Sequence, residues 1–168
     1  MELYYSVFKT AAGWIAALAS DKGLVKNTLP QVEKQKALFL LGIPGIDAIP
    51  NLRMFAELAN RFVDYFNGMR IAFPDELDMS AASPFQRDVW QTTRSIPWGE
   101  TRSYKWIAEQ IGKPEAVRAA GHALGKNPLP IIIPCHRVIG SNGNLTGFSD
   151  GLGAKKQLLE LEGIPTKP

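Results

Sequence analysis

Cys135 is the one thiol in the chain. It lies in the run Ile131-Ile132-Ile133-Pro134-Cys135-His136-Arg137-Val138, between an apolar stretch and a His-Arg pair. A thiol in water-poor surroundings beside a base has the makings of a nucleophile. By itself the same residue reads equally well as a small buried hydrophobe, because free cysteine is among the most buried residue types. Pro134 fixes the backbone just before it. In an extended segment Cys135 and His136 point to opposite faces, so they cooperate only if a turn or a bridging water joins them. Downstream, Glu162 falls on the same helical stripe as Leu158 and Leu159. An inward carboxylate needs a partner, since an unpaired buried charge is expensive. His136 and Arg137 are the candidates; the alternative is a frayed helix end with Glu162 in water.

Composition narrows the chemistry. A single cysteine rules out a disulfide framework and a cysteine-rich zinc site, and it suits a reducing cytosol. His122 and His136 are the only histidines, so no His-based metal centre is expected, nor any cofactor. The longest apolar stretches, such as residues 37–41, fall far short of a membrane span. The start Met1-Glu2-Leu3-Tyr4-Tyr5 lacks the basic and apolar regions of a signal peptide, so a cytoplasmic protein is expected. The 168 residues carry a net charge of +3, a mild excess compatible with an anionic partner.

The elements that must position these residues fall into two regions, 1–80 and 81–168. Residues 3–8, 14–19 and 24–29 read as a β-meander with turns at Ala11-Ala12-Gly13 and Asp21-Lys22-Gly23. Residues 31–41 read as a helix. So do residues 51–66, whose inward stripe is Leu52, Phe55, Ala59, Phe62, Val63 and Phe66. The stretch 73–84 has two prolines, three acids and little periodicity, which marks a boundary near residue 80.

The second region is mostly helical. Ser83-Pro84 supplies an N-cap and first-turn proline for a helix through about Arg94, with Phe85, Val89 and Trp90 inward. Ser103 caps a short helix with the stripe Tyr104, Ile107, Ala108 and Ile111, which Gly112 ends. Pro114 opens another with the stripe Val117, Ala120, Gly121 and Leu124, and the pair has the form of a helix-turn-helix. This second helix is nearly bare: Ala116, Ala119, Ala120, Gly121, Ala123 and Gly125 leave Arg118 and His122 one turn apart on its outer side. Such a surface suits another helix, or a nucleic-acid groove with Arg118 and Lys126 as electrostatic contacts. Asn127-Pro128-Leu129-Pro130 is a turn that leads into residues 131–133, a run suited to a buried strand. A last helix spans about 152–162 and stops at Gly163.

Pro134-Cys135-His136-Arg137-Val138, with Asn127-Pro128 before it and Ser149, Lys155 and Glu162-Gly163 after it, resembles the O6-alkylguanine-DNA alkyltransferases, also called methylated-DNA–protein-cysteine methyltransferases. Ser103-Tyr104 and the Arg118 helix fit the same pattern. The likeness covers roughly residues 80–165, and the first 80 match only in outline. It implies an α+β protein: an N-terminal antiparallel sheet with helix, ribonuclease H-like, before a helical domain with a helix-turn-helix. It also implies a monomeric, self-inactivating repair protein that binds duplex DNA through the minor groove. Arg118 would enter the stack in place of a flipped nucleotide, and Cys135 would take the alkyl group from O6-alkylguanine, with O4-alkylthymine as a further substrate.

Because an unperturbed thiol is only a few per cent ionised at neutral pH, the resemblance assigns a relay in which Glu162 orients His136 and His136 takes the thiol proton through a water. Tyr104 would donate to the departing guanine, and Asn127 would brace the active-site turn. Ser149 would face the O6 atom, while backbone groups at Cys135 and Val138 read the base edge. Lys155 would support the loop. Ala119, Gly121, Lys126, Arg137 and Phe148 complete the expected contacts to DNA and base. Phe148 stands where the family often has Tyr, and Asp150 where Gly is common. The rival readings are a non-catalytic alkylated-DNA-binding module, which would carry another residue in place of Cys135, and a cysteine hydrolase, which would place its histidine far from the thiol in sequence.

Overall fold

Alternation of apolar residues and two glycine turns build the first half. Strands β1 (Tyr4–Thr10), β2 (Gly13–Ser20) and β3 (Gly23–Asn27) pair antiparallel in sequence order. The turn glycine Gly13 has φ +133°, and a Cβ there would lie 2.5 Å from the carbonyl oxygen of Gln31, so only glycine fits. β2 is central and buried from Ile15 to Ser20, because both of its faces are covered. On one face Ala16 and Leu18 pack against Ala37 and Leu41 of helix α1 (Lys34–Leu41). On the other, Phe8 of β1 stacks on Phe62 of helix α2 (Ala56–Phe66), with ring centroids 5.8 Å apart.

The computed structural model describes residues 1–145 and 151–166. It divides into two compact units, residues 1–81 and 82–168. In the first, several details depart from the sequence reading. The sheet is not wholly antiparallel: a two-residue strand β4 (Ile49–Pro50) adds parallel to β1, in the order β3-β2-β1-β4. Helix α1 starts three residues later than expected because Gln31 is held in extended form, exchanging backbone hydrogen bonds of 2.7 and 2.8 Å with Trp14. Helix α2 starts at Ala56, since the Asn51 side chain accepts from the Met54 N–H at 3.0 Å and closes a turn first. Leu52 consequently lies in solvent, and the inward positions are Phe55, Leu58, Phe62 and Tyr65.

The second unit is built on helix α3 (Pro84–Arg94), capped by Ser83 and Gln86 in a reciprocal capping box. Its Trp90 indole donates to the Ala123 carbonyl at 2.8 Å, tying it to helix α5 (Val117–Gly125). Strand β5 (Arg102–Ser103) pairs in parallel with β6 (Val138–Ile139), and Ser103 then caps helix α4 (Tyr104–Gln110) by accepting from the Trp106 N–H at 3.0 Å. α4 and α5 pack together with a short turn between them, as the helix-turn-helix reading requires. Helix α6 (Leu152–Leu161) closes the unit. The buried run 131–133 is not a strand. Ile131 has φ +76°, and the Ile133 N–H bonds back to the Leu129 carbonyl at 2.8 Å, making a turn.

Candidate active site

Two short pieces of backbone aim the site's side chains. Cys135–Arg137 forms a single 3₁₀ turn, in which the Arg137 N–H bonds the Pro134 carbonyl at 2.9 Å. This turn removes the opposite-face geometry that an extended Cys-His pair would have. The second piece is the β5–β6 pairing, which sets Ser103 beside Ile139 and so brings Tyr104, the first residue of α4, alongside the reactive segment. α6 supplies the rest. Lys155 and Glu162 are two helical turns apart on one face, and both are buried.

Asn127 organises the turn that carries the thiol. Its Nδ2 donates to the Ile133 carbonyl at 2.9 Å and to Cys135 Sγ at 3.1 Å, while its Oδ1 accepts from the Leu129 N–H at 2.9 Å. The side chain thus uses both ends of its amide: one defines the loop, the other touches the sulfur. These bonds are also why 131–133 turns instead of running straight.

His136 is fully buried, with Nε2 2.6 Å from Glu162 Oε2. Burial pushes the imidazole below its ordinary range; the hydrogen bond and charge of Glu162 pull upward, and the charges of Arg137 and Lys155 push down. The ring is therefore neutral at pH 7. A carboxylate can only accept, so Nε2 carries the proton and Nδ1 holds the lone pair. Nδ1 has no hydrogen-bond partner among the described protein atoms. The arrangement is a poised base.

Glu162 is 3% exposed and is held from two sides. Arg137 grips it with Nε on Oε1 at 2.7 Å and Nη2 on Oε2 at 3.0 Å, and its Nη1 reaches the Ile96 carbonyl at 2.7 Å. Burial alone would raise the carboxyl, but the hydrogen bonds from His136 and Arg137 outweigh it and hold the group at about 2. Arg137 was expected both as a partner for Glu162 and as a DNA contact. Only the first agrees with its geometry: it is 7% exposed, and its guanidinium is spent on Glu162 and Ile96. The Ile96 carbonyl is the member of this network that the sequence does not reveal, since a backbone acceptor has no residue signature.

Lys155 is likewise interior. Its Nζ donates to the Val138 carbonyl at 2.6 Å and to the Tyr104 hydroxyl at 3.3 Å, and lies 5.6 Å from the Tyr104 ring centroid. Burial pushes the ammonium down to about 8, and attraction to an ionised Cys135 works in the opposite direction. Lys155 is buried and directs its ammonium at the Val138 carbonyl and the Tyr104 hydroxyl. It joins Tyr104 and Val138, two of the expected base-reading groups, and places a positive charge where the thiolate would form.

Arg118 and Ala119 lie exposed on α5 and Lys126 at its C-cap, and Gly121 is half-buried against Tyr104. A Cβ on Gly121 would meet that ring at an ordinary 3.8 Å, and one on Gly125 would meet nothing within 4 Å among the described residues, so internal packing does not require glycine at these two positions, whereas Ala120 and Ala123 are buried. Phe148, Ser149 and Asp150 lie outside the described residues. The structure thus brings Cys135, His136, Glu162, Asn127, Tyr104, Lys155 and Val138 together, leaves the α5 residues on the surface, and turns Arg137 inward.

Comparison with known proteins points to one family. The 6-O-methylguanine DNA methyltransferase DNA-binding domain matches residues 84–164. A methylated-DNA–protein-cysteine methyltransferase of Methanosarcina barkeri is 42% identical over 160 residues, covering 95% of this chain and 97% of that relative. The protein of the same name from Mycolicibacterium paratuberculosis is 53% identical over 112 residues, 67% of each chain. Among solved structures, Mycobacterium tuberculosis OGT in complex with DNA superposes with a TM-score of 0.78 at 37% identity, covering 95% of this chain and 92% of that one.

Proposed function

The chain belongs to the methylated-DNA–protein-cysteine methyltransferase family, and on that premise we propose how its own residues carry out direct DNA repair. Cys135 accepts the alkyl group of O6-alkylguanine in DNA. The thiol loses its proton to Nδ1 of His136 across a bridging water, and Glu162 stabilises the imidazolium that results. The sulfur lone pair attacks the alkyl carbon, an S–C bond forms, and the C–O6 bond breaks. Guanine leaves with the electron pair of that bond and takes up a proton, for which the Tyr104 hydroxyl beside Lys155 is the donor. The thioether has no second thiol to resolve it, and thiol exchange cannot cleave it. Each molecule works once.

The observation that carries this reading is the contact chain from Asn127 to Cys135 and from His136 to Glu162. A buried structural cysteine needs neither a polar donor on its sulfur nor a neutral histidine with a free lone pair in the adjacent turn. The bare, cationic face of α5 supports minor-groove binding by a monomer, with Arg118 filling the stack where the base has flipped out. O4-alkylthymine would enter the same pocket.

Intact-mass measurement after incubation with duplex DNA carrying O6-methylguanine tests the proposal. A gain of one methyl group on a peptide containing Cys135, stopping at one equivalent, supports it. Tight binding with no mass change would mean a lesion-binding module, and repeated turnover would refute the single-use mechanism.

A further inference from the structure

The exposed residues of α5 and its C-cap are Arg118, Ala119, His122, Gly125 and Lys126, which share one face of the helix. Ala119 and Gly125 have no reach, so the groups this face presents are a guanidinium, an imidazole and an ammonium, four residues apart each time. At about 1.5 Å rise per residue these groups are stepped roughly 6 Å along the axis. All three line two grooves at once. One opens toward the start of α3, with Ser83, Phe85, Gln86 and Glu115. The other opens toward Tyr104, Val117 and Gly121. Arg118, His122 and Lys126 are therefore the ridge between the two grooves, and His122 is its middle.

We infer that His122 is itself a DNA-contacting residue, and that it takes up a proton when a duplex seats on this ridge. The inference rests on the DNA-binding reading above and adds to it a residue whose charge varies. Histidine is the side chain that changes charge between about pH 5 and 8. On its own helix face His122 is flanked by the cations Arg118 and Lys126. On the α3 side, Glu115 is the carboxylate lining the groove, and the Lys113 ammonium sits 5.4 Å from the Phe85 ring. On the α4 side, the Tyr104 hydroxyl faces Lys155. A phosphate backbone laid along the ridge reverses the balance, because one carboxylate against three cations gives way to a dense row of anions. The bound protein then holds the imidazole proton to higher pH than the free protein does. The added affinity is present at low pH and is lost as pH rises through the range of the complex.

The test measures the affinity of the full chain for an undamaged duplex at about pH 6 and about pH 8, at fixed ionic strength. Wild type should bind about 3- to 5-fold more tightly at the lower pH, beyond any change seen in His122→Gln. The slope of log affinity against log salt should be steeper there by up to about 0.9, one extra phosphate neutralised. His122→Lys should keep the tighter affinity at both values. Equal pH dependence in wild type and His122→Gln, or a His122→Lys variant that binds no better than His122→Gln at the higher pH, overturns the inference. Methyl transfer to wild-type Cys135 is scored on lesion-bearing duplex at the higher pH. Loss of that transfer would count against the repair reading, whereas transfer with no His122 effect would count only against this one.

Discussion

Asn127 Nδ2 lies 3.1 Å from Cys135 Sγ while the same nitrogen holds the Ile133 carbonyl at 2.9 Å. One amide group therefore shapes the loop and solvates the nucleophile. The coupling has a mechanistic sense. A donor aimed at sulfur favours the thiolate over the thiol, and a donor fixed by a second bond needs no reorganisation when the charge appears.

Asn127→Ala removes both contacts and the acceptor for the Leu129 N–H. Hydrogen bonds to charged groups contribute about 1.5–3 kcal/mol, so transfer to Cys135 should slow by roughly 10- to 100-fold. Single-turnover mass kinetics, run well below the variant's melting temperature, measure it. A wild-type rate in a variant of lowered stability would make Asn127 a brace and nothing more.

Arg137 and Glu162 form the next prediction. Removing one partner of a buried pair costs about 3–5 kcal/mol, so Arg137→Met should lower unfolding stability by that order. Its affinity for undamaged duplex should stay within about twofold of wild type, because a buried guanidinium meets no phosphate. Denaturant titration and a binding isotherm on the same preparation decide the point. A loss confined to DNA affinity would restore Arg137 to the interface.

The acid limb of stability follows from the same network. Glu162 is held at about 2, from a usual 4.5, so the folded state binds fewer protons than the unfolded one between those values. Its contribution, of order 3 kcal/mol at neutral pH, is complete above about pH 4.5 and is lost as pH falls toward 2. His136 acts earlier and with the same sign. Its folded ring resists protonation, so stability begins to fall below its usual 6.5, where the unfolded chain gains a proton and the folded one does not. Stability measured against pH should fall in both ranges, and His136→Gln should lose the first decline while keeping the second. A curve flat between pH 6.5 and 4.5 in wild type would contradict the neutral, buried imidazole.

Much of this site is legible in the sequence, for reasons that differ by residue. Ser83-Pro84 and Ser103 announce helix starts through local capping chemistry, which needs no tertiary context. Glu162 shows its inward position through the 3.6-residue period it shares with Leu158 and Leu159. The run 131–133 misleads, because an apolar triplet looks the same in a strand as in a buried turn, and the Asn127 side chain makes the choice from outside the run. Leu52 misleads in the same way, since a periodic pattern continues past the point where Asn51 closes a turn. Arg137 reads both as a partner for Glu162 and as a DNA contact, because the Ile96 carbonyl that helps hold it inside is a backbone group with no residue signature. The two-residue strands β4, β5 and β6 are too short for any period, yet the pairing of β5 with β6 is what places Tyr104.

Arg118 stands exposed at the start of α5 and lines both grooves. If it holds the place of the flipped nucleotide, its work is confined to the duplex. Arg118→Ala should reduce transfer from O6-methylguanine in duplex DNA by at least about 10-fold, given the few kcal/mol that flipping costs. Transfer from a free O6-substituted guanine should change by less than about twofold, since no stack has to be opened. Parallel mass kinetics on the two substrates test this. Equal losses on both would refute the intercalation role.

Lys155 gives the least intuitive expectation. Burial lowers its ammonium to about 8 from 10.5, so the folded state binds fewer protons than the unfolded state between those values and stability rises with pH across that window. At pH 7 the buried charge therefore costs about 3 kcal/mol, partly offset by its hydrogen bond to the Val138 carbonyl. A side chain that weakens the fold needs another reason to be there, and the attraction between its charge and an ionised Cys135 supplies one. Lys155→Met should unfold at a denaturant midpoint equal to or above that of wild type at pH 7. It should also transfer the methyl group at least about 10-fold more slowly, for the loss of one charge-assisted contact. Wild-type transfer should decline above about pH 8 as the ammonium is lost, and the variant should lack that decline. The same descending limb in both proteins would assign it to another group and leave the charge of Lys155 without a role in the reaction.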